Sequence, residues 1–174
     1  ADYATIMLSG IFMDSNFFKA TSVGMRTFEA ASILKSYGAD NATADDYLKD
    51  EFEEYSLINK IIATMKTPYY GIVYCVSDDD EIIERTTVAK VANTVLQLKG
   101  VNACFVVGRT EDNTVRISGR SDGTVNVQLI CEHLGGGGHF QSAATAIPDS
   151  STDKVVKMLL GTLDQYLDSA RTGN

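Results

Sequence analysis

The chain has 174 residues, 44% of them hydrophobic, and two prolines, enough for one domain or for one small domain and part of another. No run of eighteen apolar residues is present, so the sequence predicts no membrane-spanning helix. The formal charge is −8, and both halves are acidic: residues 1–67 carry six Lys/Arg against ten Asp/Glu, and residues 68–174 nine against thirteen. That balance argues against the broad basic face that long nucleic acid requires, so any phosphate ligand must be small and held locally.

The N-terminus, Ala1 to Thr5, has no basic n-region and reads as a cut end rather than a signal peptide. Tyr3 to Leu8 resembles the end of a helix and leads into an apolar, strand-like run, Gly10 to Asp14, that ends in an acid. Thr27 to Tyr37 has helical spacing and stops at Gly38. A second helix is expected from Thr43 through Phe52, Leu57, Ile61 and Met65, with Pro68 marking a boundary. Beyond it, Tyr70 to Val76 reads as a buried strand, Ile82 to Leu98 as an amphipathic helix and Ala103 to Val107 as a second strand. Glu111 to Asn113 turns into a strand ending near Arg120, followed by a short helix from Val125 to Leu134. Ser142 to Ile147 is a further strand and Thr152 to Leu167 a closing helix. The expectation is an α/β fold: a mixed-sheet domain over residues 68–174, preceded by a mainly helical piece over residues 1–67.

Cys75, Cys104 and Cys131 are widely spaced and odd in number, which suits buried thiols in a reducing cytoplasm. No C-x-x-C pair is present to build a zinc site around Cys131 and His133.

Three segments could carry chemistry. Alternation puts Arg116, Ser118 and Arg120 on one face of a strand and Val115 and Ile117 on the other. Planar guanidinium donors suit phosphate, although a solvent-facing strand shows the same alternation. Four consecutive glycines, Gly135, Gly136, Gly137 and Gly138, precede His139. A helix cap needs only one glycine, so the run suggests bare main chain beside a ligand, with His139 at its edge. Asp14 fits either a metal ligand at the end of a strand or a turn residue capping backbone N–H groups.

Taken in order, Gly10-Ile-x-x-Asp14, Gly24 to Ala31 with Gly38-Ala-Asp40, Arg116 to Ser121, and Gly135 to His139 resemble the DHH phosphoesterases. The likeness is to the back of the catalytic DHH domain (residues 1–67) followed by the DHH-associated domain (residues 68–174), and within the family to the GdpP-type cyclic di-AMP phosphodiesterases. The resemblance implies a two-manganese phosphodiesterase that converts cyclic di-AMP to linear pApA, with Asp14 as one metal ligand. It implies a nucleotide-gripping surface of Arg116, Ser118, Arg120, Ser121 and Gly135 to Gly138, with His139 at the reacting phosphate. Arg26 and Thr27 match a segment joining the two domains, with packing or helix capping an equal alternative.

The family's Asp-His-His motif is absent, and so is the Asp-x-Asp that precedes it in the family, so the chain is expected to be inactive alone and to hold no manganese stably. The implied partners are a cyclic dinucleotide or short oligonucleotide and an upstream DHH half-domain. PAS and GGDEF-like domains, a membrane anchor in the parent and a homodimer are compatible with the same resemblance. Alternatives are an oligoribonuclease or phosphoadenosine-phosphate phosphatase of the same superfamily, or a non-catalytic module such as ends alanyl-tRNA synthetases. The acidic balance disfavours the last.

Overall fold

The computed structural model describes residues 2–20 and 22–172 and divides into two compact units, the first ending at Phe52 and the second starting at Glu53.

In the first unit, α1 (Asp2–Asp14) is one continuous helix. The strand expected over Gly10 to Asp14 does not form, because Ala4, Leu8 and Phe12 recur at helical spacing and bury together with Leu34, Ala39 and Ala44. α2 (Met25–Ser36) follows. α3 (Asn41–Asp46) is capped by Asp40, whose carboxylate accepts from the Thr43 backbone N–H at 2.8 Å. The long second helix is in fact two, α3 and α4 (Phe52–Ile62). The Asp and Asn residues around 41–50 are weak helix formers that favour caps and turns.

α4 belongs almost wholly to the second unit, so the units part before the expected boundary at 67/68. Ile58 and Ile61 share a core with Val73, Cys75, Val88 and Val91. Pro68 lies inside a strand not anticipated from sequence, β1 (Lys66–Tyr69), at the sheet edge, where a missing N–H is tolerated.

The second unit is built on one mixed sheet of order β1-β2-β3-β4-β6-β5. β2 (Ile72–Val76) and β3 (Ala103–Thr110) are parallel and joined through α5 (Arg85–Leu96). β4 (Thr114–Ser121) and β6 (Ser142–Pro148) pair antiparallel, and β5 (Gly137–His139), also not anticipated, pairs with β6 at the far edge. α6 (Val127–His133) and α7 (Thr152–Thr172) are the remaining helices described in this unit.

Each sheet face has its own core. One buries Phe105, Val107, Val115, Ile117 and Ala143 with Ile130, Val155, Leu159 and Leu163 of α6 and α7. The other buries Val73, Cys75, Cys104 and Val106 under α4 and α5. On β6 the second face is bare: Ser142, Ala144 and Ala146 are exposed, whereas Ala143 and Thr145 on the first face are buried. The three cysteines are free and buried. Among the described residues, no helix is long and apolar enough to cross a membrane.

Candidate functional site

The bare part of the sheet is where Arg116 and Arg120 lie. Register pairs Arg116 with Ala146, Ser118 with Ala144 and Arg120 with Ser142, so all three share the open face, as their alternation predicted. β5 extends these rows: Gly137 pairs with Ala144 and His139 with Ser142. Arg120, Ser142 and His139 therefore form one row across three strands. Arg116, Ser118, Arg120, Gly137 and Gly138 line a cavity of about 280 Å³, closed on the helical side by Arg85, Val88 and Ala89 of α5. His139 is exposed at the end of its row.

The two strand arginines differ in their partners. Arg116 reaches Asp112 at 3.3 Å and Thr110 at 3.3 Å. Arg120 meets no carboxylate within salt-bridge distance among the described residues; its Nε donates to Asn93 Oδ1 at 2.9 Å, and a terminal nitrogen donates to Ser118 Oγ at 3.2 Å and the Gly119 carbonyl at 2.9 Å. Burial lowers its pKa from the ordinary arginine value, a sign of a charge held partly out of water. It nonetheless stays protonated near neutrality. A half-buried guanidinium with only neutral partners is an electrostatic deficit that an anion in the cavity would offset.

The glycine run has a different physical basis from the one expected. Gly135 is the left-handed cap of α6 (φ +81°), with the Gly135 and Gly136 N–H groups donating to the carbonyls of Glu132 and Cys131 at 3.0 and 2.8 Å. A Cβ on Gly136 would lie 2.2 Å from the Ala144 carbonyl oxygen and 2.0 Å from Thr145 Oγ1. Gly138 has φ +147°, and a Cβ there would lie 2.5 Å from Ala143 Cα. Three of the four are thus demanded by the chain itself. Gly137 alone of the four has neither a left-handed φ nor a neighbour within 4 Å of where its side chain would be, and it lines the cavity.

Ser121 is not part of this surface. It is buried on the opposite face, and its Oγ accepts from the Gly123 and Val125 N–H groups at 3.0 and 3.2 Å, holding the turn into α6. Arg85 and Asn93 were missed by sequence reasoning. With Ala89 they lie at i, i+4 and i+8 on α5, a stripe of two polar side chains and one small one that spacing could have revealed.

Asp14 lies in the other unit, exposed at the C-terminal end of α1 beside a small cavity that it lines with Ile11, Ser15, Ser22, Val23 and Thr27. A carboxylate there opposes the helix dipole. After it, Asn16, Phe17 and Phe18 all adopt positive φ (47°, 54° and 63°), a strained run for residues with side chains. Phe17 and Phe18 pack on Phe12, and Phe18 stacks on Phe28. Thr27 lines this cavity too, whereas Arg26 does not. Among the described residues no three His, Cys, Asp or Glu side chains gather as a metal cluster, so the residues present do not fit a two-manganese centre.

With this geometry in place, similarity to known proteins can be read. Residues 68–168 match the DHHA1 domain family, and the chain belongs to that family. It is 36% identical over 163 residues to the cyclic-di-AMP phosphodiesterase PdeA of Listeria monocytogenes, covering 94% of this chain and 25% of that protein. It is 36% identical over 168 residues to the cyclic-di-AMP phosphodiesterase GdpP of Geobacillus thermodenitrificans, covering 97% of this chain and 25% of that protein. The chain thus spans about a quarter of the length of the curated relatives it matches. Among solved structures, an exopolyphosphatase-related protein from Bacteroides fragilis shares the fold (TM-score 0.80, 20% identity, 94% of this chain and 50% of that one).

Proposed function

We propose that this chain is the nucleotide-recognising portion of a cyclic-di-AMP phosphodiesterase that hydrolyses cyclic di-AMP to linear pApA in its complete form. The observation that carries the reading is Arg120: half-buried, held by Asn93 and Ser118, meeting no carboxylate among the described residues, in a cavity shared with Arg116 and floored by Gly137. Similarity to PdeA and GdpP supports a cyclic dinucleotide as the ligand.

In this reading Arg116, Arg120 and Ser118 grip phosphate oxygens, and the missing side chain at Gly137 admits the nucleotide close to the main chain. His139, in the Arg120 row, donates to an oxygen of the reacting phosphate as charge develops there. Asp14 offers a single carboxylate to a manganese centre, with no cluster of further ligands gathered around it among the described residues. The acidic charge of the whole chain favours a compact ligand over long RNA.

The test is calorimetric titration of the chain with cyclic di-AMP, pApA and phosphoadenosine phosphate, beside hydrolysis of the same three by the complete protein. Preference for cyclic di-AMP in both supports the proposal; preference for either of the others moves the assignment to an oligoribonuclease or phosphatase. Asp14→Ala in the complete protein is expected to abolish manganese-dependent turnover. Unchanged metal dependence would make it a turn residue.

A further inference from the structure

The cavity has a third arginine and a built-in anion beside it. Arg85, on the first turn of α5, lines the same 280 Å³ space as Arg116 and Arg120. Its guanidinium meets Asp112 Oδ2 at 3.1 Å, and Arg116 meets that same oxygen at 3.3 Å. One carboxylate oxygen is therefore shared by two cations, at distances beyond the 2.7–2.9 Å or so of strong charge-assisted bonds and without the bidentate match that guanidinium and carboxylate can make. Asp112 lies outside the cavity, in the neighbouring cleft of about 430 Å³ that Arg85 also lines. Arg85 thus borders both spaces, with its side chain 66% exposed. A cation in the first turn of a helix also opposes the macrodipole, so Arg85 stands where only a nearby anion makes it favourable.

We propose that Arg85 and Arg116 form a second phosphate subsite of the cavity, and that Asp112 is its resident counter-ion, displaced when a phosphate of the bound nucleotide arrives. The inference rests on the reading of the cavity as a nucleotide site. A phosphate presents several oxygens to two planar donors, whereas Asp112 presents one, so the exchange improves geometry as well as charge. Asp112 keeps its bond from Thr110 Oγ1 at 2.9 Å through its other oxygen, Oδ1, which anchors the carboxylate while Oδ2 lets go. Its presence lowers affinity, and its removal should raise it.

The experiment is titration of the 174-residue chain with cyclic di-AMP, comparing wild type with Asp112→Asn, Arg85→Gln, the double variant and Arg120→Gln, each checked for an unchanged melting profile. Asparagine retains the Oδ1 acceptor for Thr110 and replaces Oδ2 with an amide group that is uncharged and cannot accept from either arginine. Asp112→Asn is expected to bind about three- to tenfold tighter, in keeping with the loss of two weak surface ion pairs. Arg85→Gln should bind several-fold more weakly, and the gain from Asp112→Asn should shrink in the double variant. Unchanged or weaker binding by Asp112→Asn, or unchanged binding by Arg85→Gln, with Arg120→Gln still strongly impaired, overturns the second subsite and leaves the Arg120 site standing. Equal binding by wild type and Arg120→Gln overturns the site itself.

Discussion

Arg120 and His139 stand in one row of the sheet, each paired with Ser142 from opposite sides. Two strand spacings put their Cα atoms about 10 Å apart on the same face, a distance that two long side chains reaching toward one phosphodiester can close. The pair makes a testable division of labour. Arg120→Ala in the complete protein should weaken cyclic di-AMP binding by about 10- to 100-fold, the range for losing a hydrogen bond to a charged group. His139→Ala should leave binding nearly intact and lower turnover about 100-fold or more. Steady-state kinetics beside direct titration separates the two effects. A His139→Ala enzyme with wild-type kcat would remove the histidine from the reacting centre.

The four glycines should not respond alike to alanine. Gly136→Ala drives a methyl into the Ala144 carbonyl and Thr145, and Gly138→Ala combines a backbone clash with a positive φ, so both should destabilise the fold by about 2 kcal/mol or more. Gly135→Ala should cost about 1 kcal/mol through its left-handed cap. Gly137→Ala meets nothing in the protein and should keep wild-type stability, yet place its methyl in the cavity and weaken nucleotide binding. Urea unfolding of the four variants, with titration of the stable ones, checks the ranking. Full affinity in Gly137→Ala would leave that glycine without a role in the site.

This contrast shows what the sequence could and could not reveal. The Arg116–Ser118–Arg120 face was legible because strand alternation is a local rule, and register then carried it across β6 to His139. The glycine run was legible as unusual but not in its cause, since the close approach of Gly136 to Thr145 depends on the pairing of a strand too short to be seen in sequence. Ser121 misled for a related reason. Two hydroxyls three residues apart on one strand, Ser118 and Ser121, face opposite ways, and the second is used by its own turn. Gly10 to Asp14 looked like a strand because it is apolar, but its burial follows a helical period set by Leu8 and Phe12. Asn93 and Arg85 needed the packing of α5 on the sheet before their stripe had a meaning.

The stability of the second unit should depend on pH through Asp79. Its Oδ1 accepts from the Thr152 backbone N–H at 2.8 Å, capping α7 from a distant turn, and meets Arg109 at 3.0 Å. The Thr152 N–H first, and Arg109 after it, hold the Asp79 carboxyl below the usual carboxylate value. A depressed folded-state pKa contributes stability that is present above the unfolded value, near 4, and lost as pH falls through the folded value. Asp79→Ala should therefore destabilise by about 1 kcal/mol at pH 7, as for other helix caps, with the gap from wild type narrowing as the pH is lowered toward about 3. Chemical unfolding at both pH values measures this. A gap that stays constant would mean that the charge on Asp79 contributes nothing beyond its shape.

Asn93 sets what Arg120 can do. Its side-chain oxygen takes the Arg120 Nε–H at 2.9 Å, which orients the guanidinium without neutralising it, so the positive charge stays available to a ligand. Two substitutions separate orientation from charge. Asn93→Ala removes the acceptor from an exposed helix position, so stability should change by less than about 0.5 kcal/mol while cyclic di-AMP binds several-fold more weakly, because Arg120 loses its fixed geometry. Asn93→Asp keeps an acceptor in the same place and adds a charge that competes with phosphate for the same cation. Binding should then fall further than in Asn93→Ala, and the loss should be partly relieved at lower pH as the new carboxylate is protonated. Titration of the three forms at two pH values gives the comparison. If aspartate binds as well as asparagine, the absence of a carboxylate beside Arg120 is not what makes the cavity an anion site.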